Sequence, residues 1–277
     1  MLITLSTASL MIYPLGYVFA LAAEAGFDGV ELAISPQVTL RGVAHVRQLS
    51  RSHELPVISV HPPLHRLPHW ISQRDTFVRS VELANELSAR VVTFHGPLVR
   101  SFEDHEARRW RQDMLLAKER CSPNLRIGME NHALFGPPPR VFPTVAVDPR
   151  HWDSFLEEHD LGITLDTAHV GSVGLDLLTV VRAIRPRLVN IHLSNVSDRR
   201  FPIRHPIAYS LVVQHQLPQR GLLPLADILA SLADTGFPGP ITLELSPLAV
   251  HFWDPREVRK LLTEAVRFCR QAAAIAR

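Results

Sequence analysis

Short apolar runs alternate with longer amphipathic stretches from one end of the chain to the other. The runs are Leu2–Ser6, Gly29–Ala33, Val57–His61, Val91–His95, Arg126–Glu130, Gly162–Asp166, Leu188–Leu193 and Ile241–Leu245. They are short, rich in Val, Ile and Leu on both sides, and so predict strands covered on both faces. Helical periodicity between them predicts helices near 15–25, 39–53, 73–88, 104–120, 149–159, 174–184 and 224–234, with a last one over 255–275. Eight strand–helix units in one chain of this length predict an α/β fold, a closed (β/α)8 TIM barrel formed by residues 1–277 as a single domain. A doubly wound open sheet is the alternative, but the Gly-x-Gly-x-x-Gly turn is absent, and no nucleotide cofactor is expected.

Punctuation supports a repeated unit. Ala25-Gly26-Phe27-Asp28-Gly29-Val30 is echoed by Thr235-Gly236-Phe237-Pro238-Gly239-Pro240. In each, Gly can end a helix in the left-handed conformation and Phe can pack beneath it before a strand begins. The last helix follows Asp254-Pro255, an N-terminal arrangement, and is expected to close the barrel against the first. The longest connections, 132–148 and 194–223, suit functional loops.

Composition narrows the picture only in places. The chain has 277 residues, 46% apolar and 20% charged, which excludes disorder as the main state. Two cysteines, Cys121 and Cys269, are too few for a disulfide framework or a thiolate zinc site, and both read as small buried hydrophobes. Residues 1–23 carry no charge, but no basic residue opens the stretch and Pro14 and Gly16 interrupt it. It therefore reads as strand, loop and helix rather than a secretory signal, and the expected compartment is cytoplasmic. A net charge of +2 neither demands nor excludes nucleic acid. The unusual counts are 15 His, and 27 Arg against 2 Lys.

The histidines acquire meaning from the strand ends. Runs three to eight finish on His61, His95, Glu130, Asp166, His192 and Glu244, each after apolar residues. In a parallel barrel these ends share one rim, the rim that carries the chemistry. Three imidazoles and three carboxylates converging there point to a divalent metal, because half-buried ionisable groups are costly unless paired or ligating. A single His at a strand end is more often a plain rim residue; three His and three carboxylates on six successive strand ends are not. His169, three residues after Asp166 in the following loop, is close enough to join them. Asn131, His132, Ser194 and Asn195 are candidates to orient ligands, or simple hydrogen-bonding residues. Glu31, taken as lying at the end of the second strand, is either a rim residue that meets substrate or a surface or helix-capping carboxylate.

With these residues in place the chain resembles the xylose-isomerase-like TIM-barrel superfamily, which contains sugar isomerases and epimerases together with endonuclease IV. The resemblance rests on Gly26-Phe27-Asp28-Gly29-Val30-Glu31, Phe94-His95-Gly96-Pro97, Glu130-Asn131-His132, Leu165-Asp166-Thr167-Ala168-His169, Ile191-His192-Leu193-Ser194-Asn195 and Leu243-Glu244, in that order along essentially the whole chain. It implies a divalent cation (Mn, Co, Mg or Zn) held by Glu130, Asp166, His192 and Glu244. In the epimerase pattern Glu130 and Glu244 are also the acid/base pair, and His169 binds a substrate oxygen; His61, His95 and Asn131 would stand around the substrate. In the endonuclease IV pattern the ligand positions are His61, His95, Glu130, Asp166, His169, His192, His215 and Glu244. There the sequence departs: Val213 stands where that pattern has an Asp ligand, and Gln219 where it has a glycine. The expectation is that His169 and His215 lack a carboxylate partner, leaving a centre of one or two metals.

Three functions follow. The first is metal-dependent isomerisation or epimerisation of a sugar, sugar phosphate or related hydroxycarbonyl compound through an enediolate. The second is phosphodiester hydrolysis of the endonuclease IV kind, which calls for basic loops. His65, Arg66, His69 and Trp70, with Arg199, Arg200 and Arg204, could line a phosphate track; equally, Arg199 or Arg200 could hold one sugar phosphate or carboxylate, or the arginines could be scattered and solvated. The third, a non-catalytic binding barrel, is disfavoured by the complete ligand set. The expected partner is a small sugar-like molecule ahead of nucleic acid, with no membrane; a homo-oligomer is compatible, with Phe252 and Trp253 covering the rim or a dimer contact.

Overall fold

A computed structural model describes residues 1–68, 70–134, 143–198 and 205–275. Eight parallel strands close into a barrel in sequence order: β1 Leu2–Ser6, β2 Gly29–Ala33, β3 Val57–His61, β4 Val91–His95, β5 Arg126–Glu130, β6 Gly162–Asp166, β7 Leu188–Leu193 and β8 Pro240–Leu243. Seven strands have the boundaries expected from the sequence. β8 starts and stops earlier, so Glu244 lies one residue beyond the ladder, where Leu245 N–H donates to Ser9 Oγ at 2.8 Å instead of to a strand.

The helices, in chain order, are α1 Leu15–Ala25, α2 Pro36–Ser52, α3 Gln73–Glu86, α4 His105–Lys118, α5 Asp153–His159, α6 Thr167–Ser172, α7 Leu177–Ile184, α8 Pro206–Val212, α9 Leu225–Asp234 and α10 Pro255–Ala274. The expected 39–53 helix begins earlier, because Ser35 Oγ accepts from Val38 N–H and Pro36 takes the first helical position, and it breaks at Gly42 (φ 74°). The stretch expected as one helix over 174–184 begins only at Leu177, capped by Asp176, while α6 and α8 were not anticipated. Cys121 lies just past α4 and is half-buried; Cys269 is buried in α10. α10 packs on α1, as expected, and also on α9.

The repeated Gly-Phe unit forms twice. Gly26 (φ 85°) and Gly236 (φ 66°) end α1 and α9, and the N–H of Phe27 and Phe237 donates to Ala22 O and Leu232 O at 3.1 and 2.9 Å. Both rings are buried. Such a left-handed ending satisfies orphan carbonyls and turns the chain into the next strand.

Strand periodicity sorts side chains into two sets. Ile3, Leu5, Val30, Leu32, Val60, Val92 and Phe94 are buried in the single large apolar core shared with the helices. The alternate positions, Thr4, Glu31, Ser59, Thr93, Thr164, Asn190 and Thr242, are buried and polar, and they hydrogen-bond across the barrel. Six strands carry, two residues further on, His61, His95, Glu130, Asp166, His192 or Glu244. A period of two returns the side chain to the same face, so these groups form the next layer up, at the mouth.

Candidate metal centre

His192, at the carboxyl end of β7, organises the mouth. It has no exposed surface, its Nε2 lies 3.0 Å from Glu31 Oε2, and its Nδ1 lies 2.9 Å from both Glu130 Oε1 and Glu244 Oε2. Burial opposes protonation of the ring, but the charges of Glu31, Glu130 and Glu244 raise its pKa well above the ordinary histidine value. The same contact, helped by His95, pulls the Glu130 carboxyl well below its usual range against the effect of burial. Glu244 is likewise lowered against burial by His192.

Asp166 joins this set from β6, beside His192 in the strand register. Its backbone is pinned by Asn131, whose Oδ1 accepts from Asp166 N–H at 2.8 Å and whose Nδ2 donates to Asp166 O at 3.1 Å. Asp166 Oδ1 accepts from His169 N–H at 2.7 Å and so caps α6. Burial, with the charges of Glu244 and Glu130, raises the Asp166 pKa despite His169 and His215.

Glu130, Asp166, His192 and Glu244 thus bring one ligand atom each within 4.8 Å of one another. Two further groups meet the same criterion: His61 with His95 and Glu130, and His169 with His215 and Asp166. Glu130 Oε2 stands 3.5 Å from both His61 Nε2 and His95 Nε2. Asp166 Oδ2 stands 3.8 Å from His169 Nε2 and 3.9 Å from His215 Nδ1. The expectation that His169 and His215 lack a carboxylate partner is therefore corrected: Asp166, at the end of β6, faces both rings.

The donor set fits a divalent cation. Glu130 Oε2 and Asp166 Oδ2 are buried oxygens with no hydrogen-bond donor, a costly state that a cation relieves. The flanking histidines are oriented for it. His61 Nδ1–H donates to Pro62 O at 2.8 Å and His169 Nδ1–H to Asn131 O at 2.8 Å, turning Nε2 of each towards its carboxylate. His61 is raised to about 9, the effect of burial being outweighed by the adjacent Glu130 carboxylate. His169 is also raised, chiefly by Asp166 against burial.

Other expected residues fall differently. Glu31 is the third of five residues in β2, level with Ser59, and has no exposed surface. Its Oε2 accepts from Ser59 Oγ at 2.9 Å and from His192 at 3.0 Å, so it supports His192 from below and does not reach solvent. Asn131 is also fully buried, with both ends of its amide committed to Asp166, which corrects its expected place beside substrate. His132 Nε2–H donates to Gly96 O at 2.8 Å and its ring packs against His95. Ser194 Oγ lies 3.3 Å from His215 Nδ1, and Asn195 braces the loop after β7. His65 and Arg66 are exposed, and Trp70 is half-buried. His69, Arg199, Arg200 and Arg204 lie outside the described residues. The His192–Glu31 contact joins residues far apart in sequence, and its local sign is the Glu in Gly29-Val30-Glu31-Leu32.

Glu130, Glu244, His95, His169 and His215 line a cavity of about 260 Å³ whose other walls include Met11, Leu64 and Leu211. No Lys or Arg lines it among the described residues. A family model for the xylose isomerase-like TIM barrel matches residues 19–272. The chain belongs to this family. An uncharacterised protein of Mycobacterium leprae is 31% identical to this member over 289 residues, covering 96% of this chain and 95% of its own. D-psicose 3-epimerase from Clostridium cellulolyticum H10, solved with D-tagatose, superposes with a TM-score of 0.71 at 13% identity over 99% of both chains. An AP endonuclease of family 2 from Brucella melitensis superposes with a TM-score of 0.65 at 18% identity, over 89% of this chain and 94% of that one. No helix among the described residues is long and apolar enough to cross a membrane.

Proposed function

We propose that this xylose isomerase-like barrel is a divalent-metal-dependent isomerase or epimerase of a sugar, sugar phosphate or related hydroxycarbonyl compound. The observation that carries the reading is the convergence of Glu130, Asp166, His192 and Glu244 beneath a small cavity with apolar walls. Bound by these four residues, a cation would supply Lewis-acid stabilisation of the negative charge that develops on substrate oxygens as a proton leaves the adjacent carbon. Glu130 and Glu244 enter from β5 and β8 and both border the cavity, so one carboxylate oxygen can take the proton and the other can return one. His169 presents Nε2 to the cavity while Nδ1–H is tied to Asn131 O; protonated there, it donates to a substrate oxygen. Met11, Leu64 and Leu211 supply apolar walls on the substrate side of this cavity. Fold similarity to a sugar epimerase is in keeping with this reading.

Phosphodiester hydrolysis is the second reading, favoured by one observation: both flanking groups share a carboxylate with the central set, Glu130 on one side and Asp166 on the other. Shared carboxylates suit a multi-metal centre. Incubation with candidate ketoses and Mn, Co, Mg or Zn in D2O separates the two. The expected result is loss of the proton NMR signal on the carbon beside the carbonyl and appearance of a second isomer. Cleavage of bis(p-nitrophenyl) phosphate, with no exchange in any ketose, would replace the first reading by the second.

A further inference from the structure

The loops after β7 and β8 enclose another cavity, about 490 Å³, on the same face of the barrel. Leu211 belongs to the walls of both cavities, yet none of the clustered ligands lines this one. Val212, Leu217 and Leu248 give it apolar walls, and the exposed Arg220 and Trp253 stand on its rim. A few polar groups beside apolar walls, at this volume, are the usual anatomy of a small-molecule pocket.

The turn that carries Arg220 and the ring of Trp253 are each held in place. Arg220 ends a turn in which its N–H donates to Leu217 O at 2.9 Å. Buried Asn195 braces that turn, with Nδ2 donating to Pro218 O at 3.0 Å and Oδ1 accepting from Leu223 N–H at 2.8 Å. Gly221 (φ 152°) follows, and a Cβ there would stand 2.3 Å from Asn195 Oδ1, so the chain passes too close for any other residue. No carboxylate among the described residues pairs with the Arg220 guanidinium. The indole of Trp253 stacks on His251, with ring centroids 5.3 Å apart and planes 20° apart, and meets Phe252 edge-on. His251 adopts a left-handed backbone (φ 55°), and Tyr13 donates its hydroxyl to Phe252 O. Even so, 63% of Trp253 remains exposed.

An aromatic face braced by His251 and Phe252, and a guanidinium with no carboxylate partner among the described residues, border one pocket and recognise two features of a ligand, a ring and an anion. We propose that this cavity is a subsite for a sugar or aryl ring bearing one phosphate or carboxylate, the ring lying on Trp253 and the anion on Arg220. Asp198, also on the rim, disfavours a second negative charge. The subsite thus reads a part of the ligand remote from the metal centre, whichever chemistry that centre performs.

Calorimetric titration of the purified full chain with phenyl phosphate, benzoate, phenol and inorganic phosphate tests this without any turnover, so the isomerase reading can fail while the subsite stands. Saturable binding of phenyl phosphate or benzoate is expected, tighter than phenol or inorganic phosphate; the stronger of the two names the anion. Trp253→Ala and Arg220→Gln should each weaken it about tenfold or more, the range of one lost stacking or charged contact, while Glu244→Gln leaves it within about twofold. No saturable binding of either probe overturns the proposal. So does binding lost in Glu244→Gln but kept in both rim variants. Dissociation of an oligomer by Trp253→Ala, with binding unchanged, would make the surface a contact between copies instead.

Discussion

Glu31→Gln probes how the barrel interior holds its central histidine. Glu31 and His192 are both fully buried, and their contact at 3.0 Å is supported by Ser59 at 2.9 Å. Glutamine keeps the shape and one acceptor, so the cost should fall short of the ~3–5 kcal/mol for deleting one partner of a buried ion pair. It should lie near the ~2–3 kcal/mol of a hydrogen bond to a charged group. The pH dependence has a definite sign. The His192 pKa is raised in the folded protein, with Glu31 the leading favourable cause after the opposing effect of burial. Its contribution is therefore fully present below the unfolded value of about 6.5 and fades as pH rises through the folded value. Urea unfolding of chelator-treated protein should show the full loss near pH ~6. That loss should shrink towards the ~1 kcal/mol of a neutral hydrogen bond in alkaline solution. A variant within ~0.5 kcal/mol of the parent at both pH values, or a loss that grows with pH, would refute the assignment of Glu31 as the support of His192.

Further tests address the acid/base pair and the packing beneath it. Glu244→Gln should lower turnover of the substrate found by deuterium exchange by roughly 10²–10⁴-fold. Full activity with full metal content would remove Glu244 from the acid/base pair. Gly128→Ala places a Cβ 2.2 Å from Thr164 Oγ1 and 3.1 Å from Val189 Cγ2, two residues before Glu130. Thermal melts should show about 1–3 kcal/mol of destabilisation from this overpacking. A melting temperature matching the parent would mean that the barrel wall yields there more readily than its packing indicates.

Strand ends were legible because a parallel barrel repeats one local rule: an alternating apolar run, then an ionisable group two positions above a small inward residue. Thr164 and Asp166, or Asn190 and His192, obey that rule without reference to anything distant. The helix carrying His169 was not legible, since six residues give little periodicity and its start depends on Asp166 acting as ligand candidate and cap together. Glu31 was placed too high because its role depends on which strands the closed barrel sets opposite one another. Asp166 as the carboxylate beside His169 and His215 was missed for a related reason. A motif comparison finds Val213 and registers a missing ligand, whereas the folded chain brings in a neighbouring oxygen. The second cavity depends on loop conformations at Gly221 and His251, for which the sequence offers only a glycine and an ordinary histidine.

The central claim is that Glu130, Asp166, His192 and Glu244 hold a divalent cation. Elemental analysis of the purified chain beside Asp166→Asn and His192→Ala tests it most directly, with circular dichroism to confirm that each variant is folded. The account predicts at least one stoichiometric divalent cation in the parent protein and its loss from both folded variants. A parent that binds none when Mn, Co, Mg or Zn is supplied, or variants that retain the full complement, would contradict it.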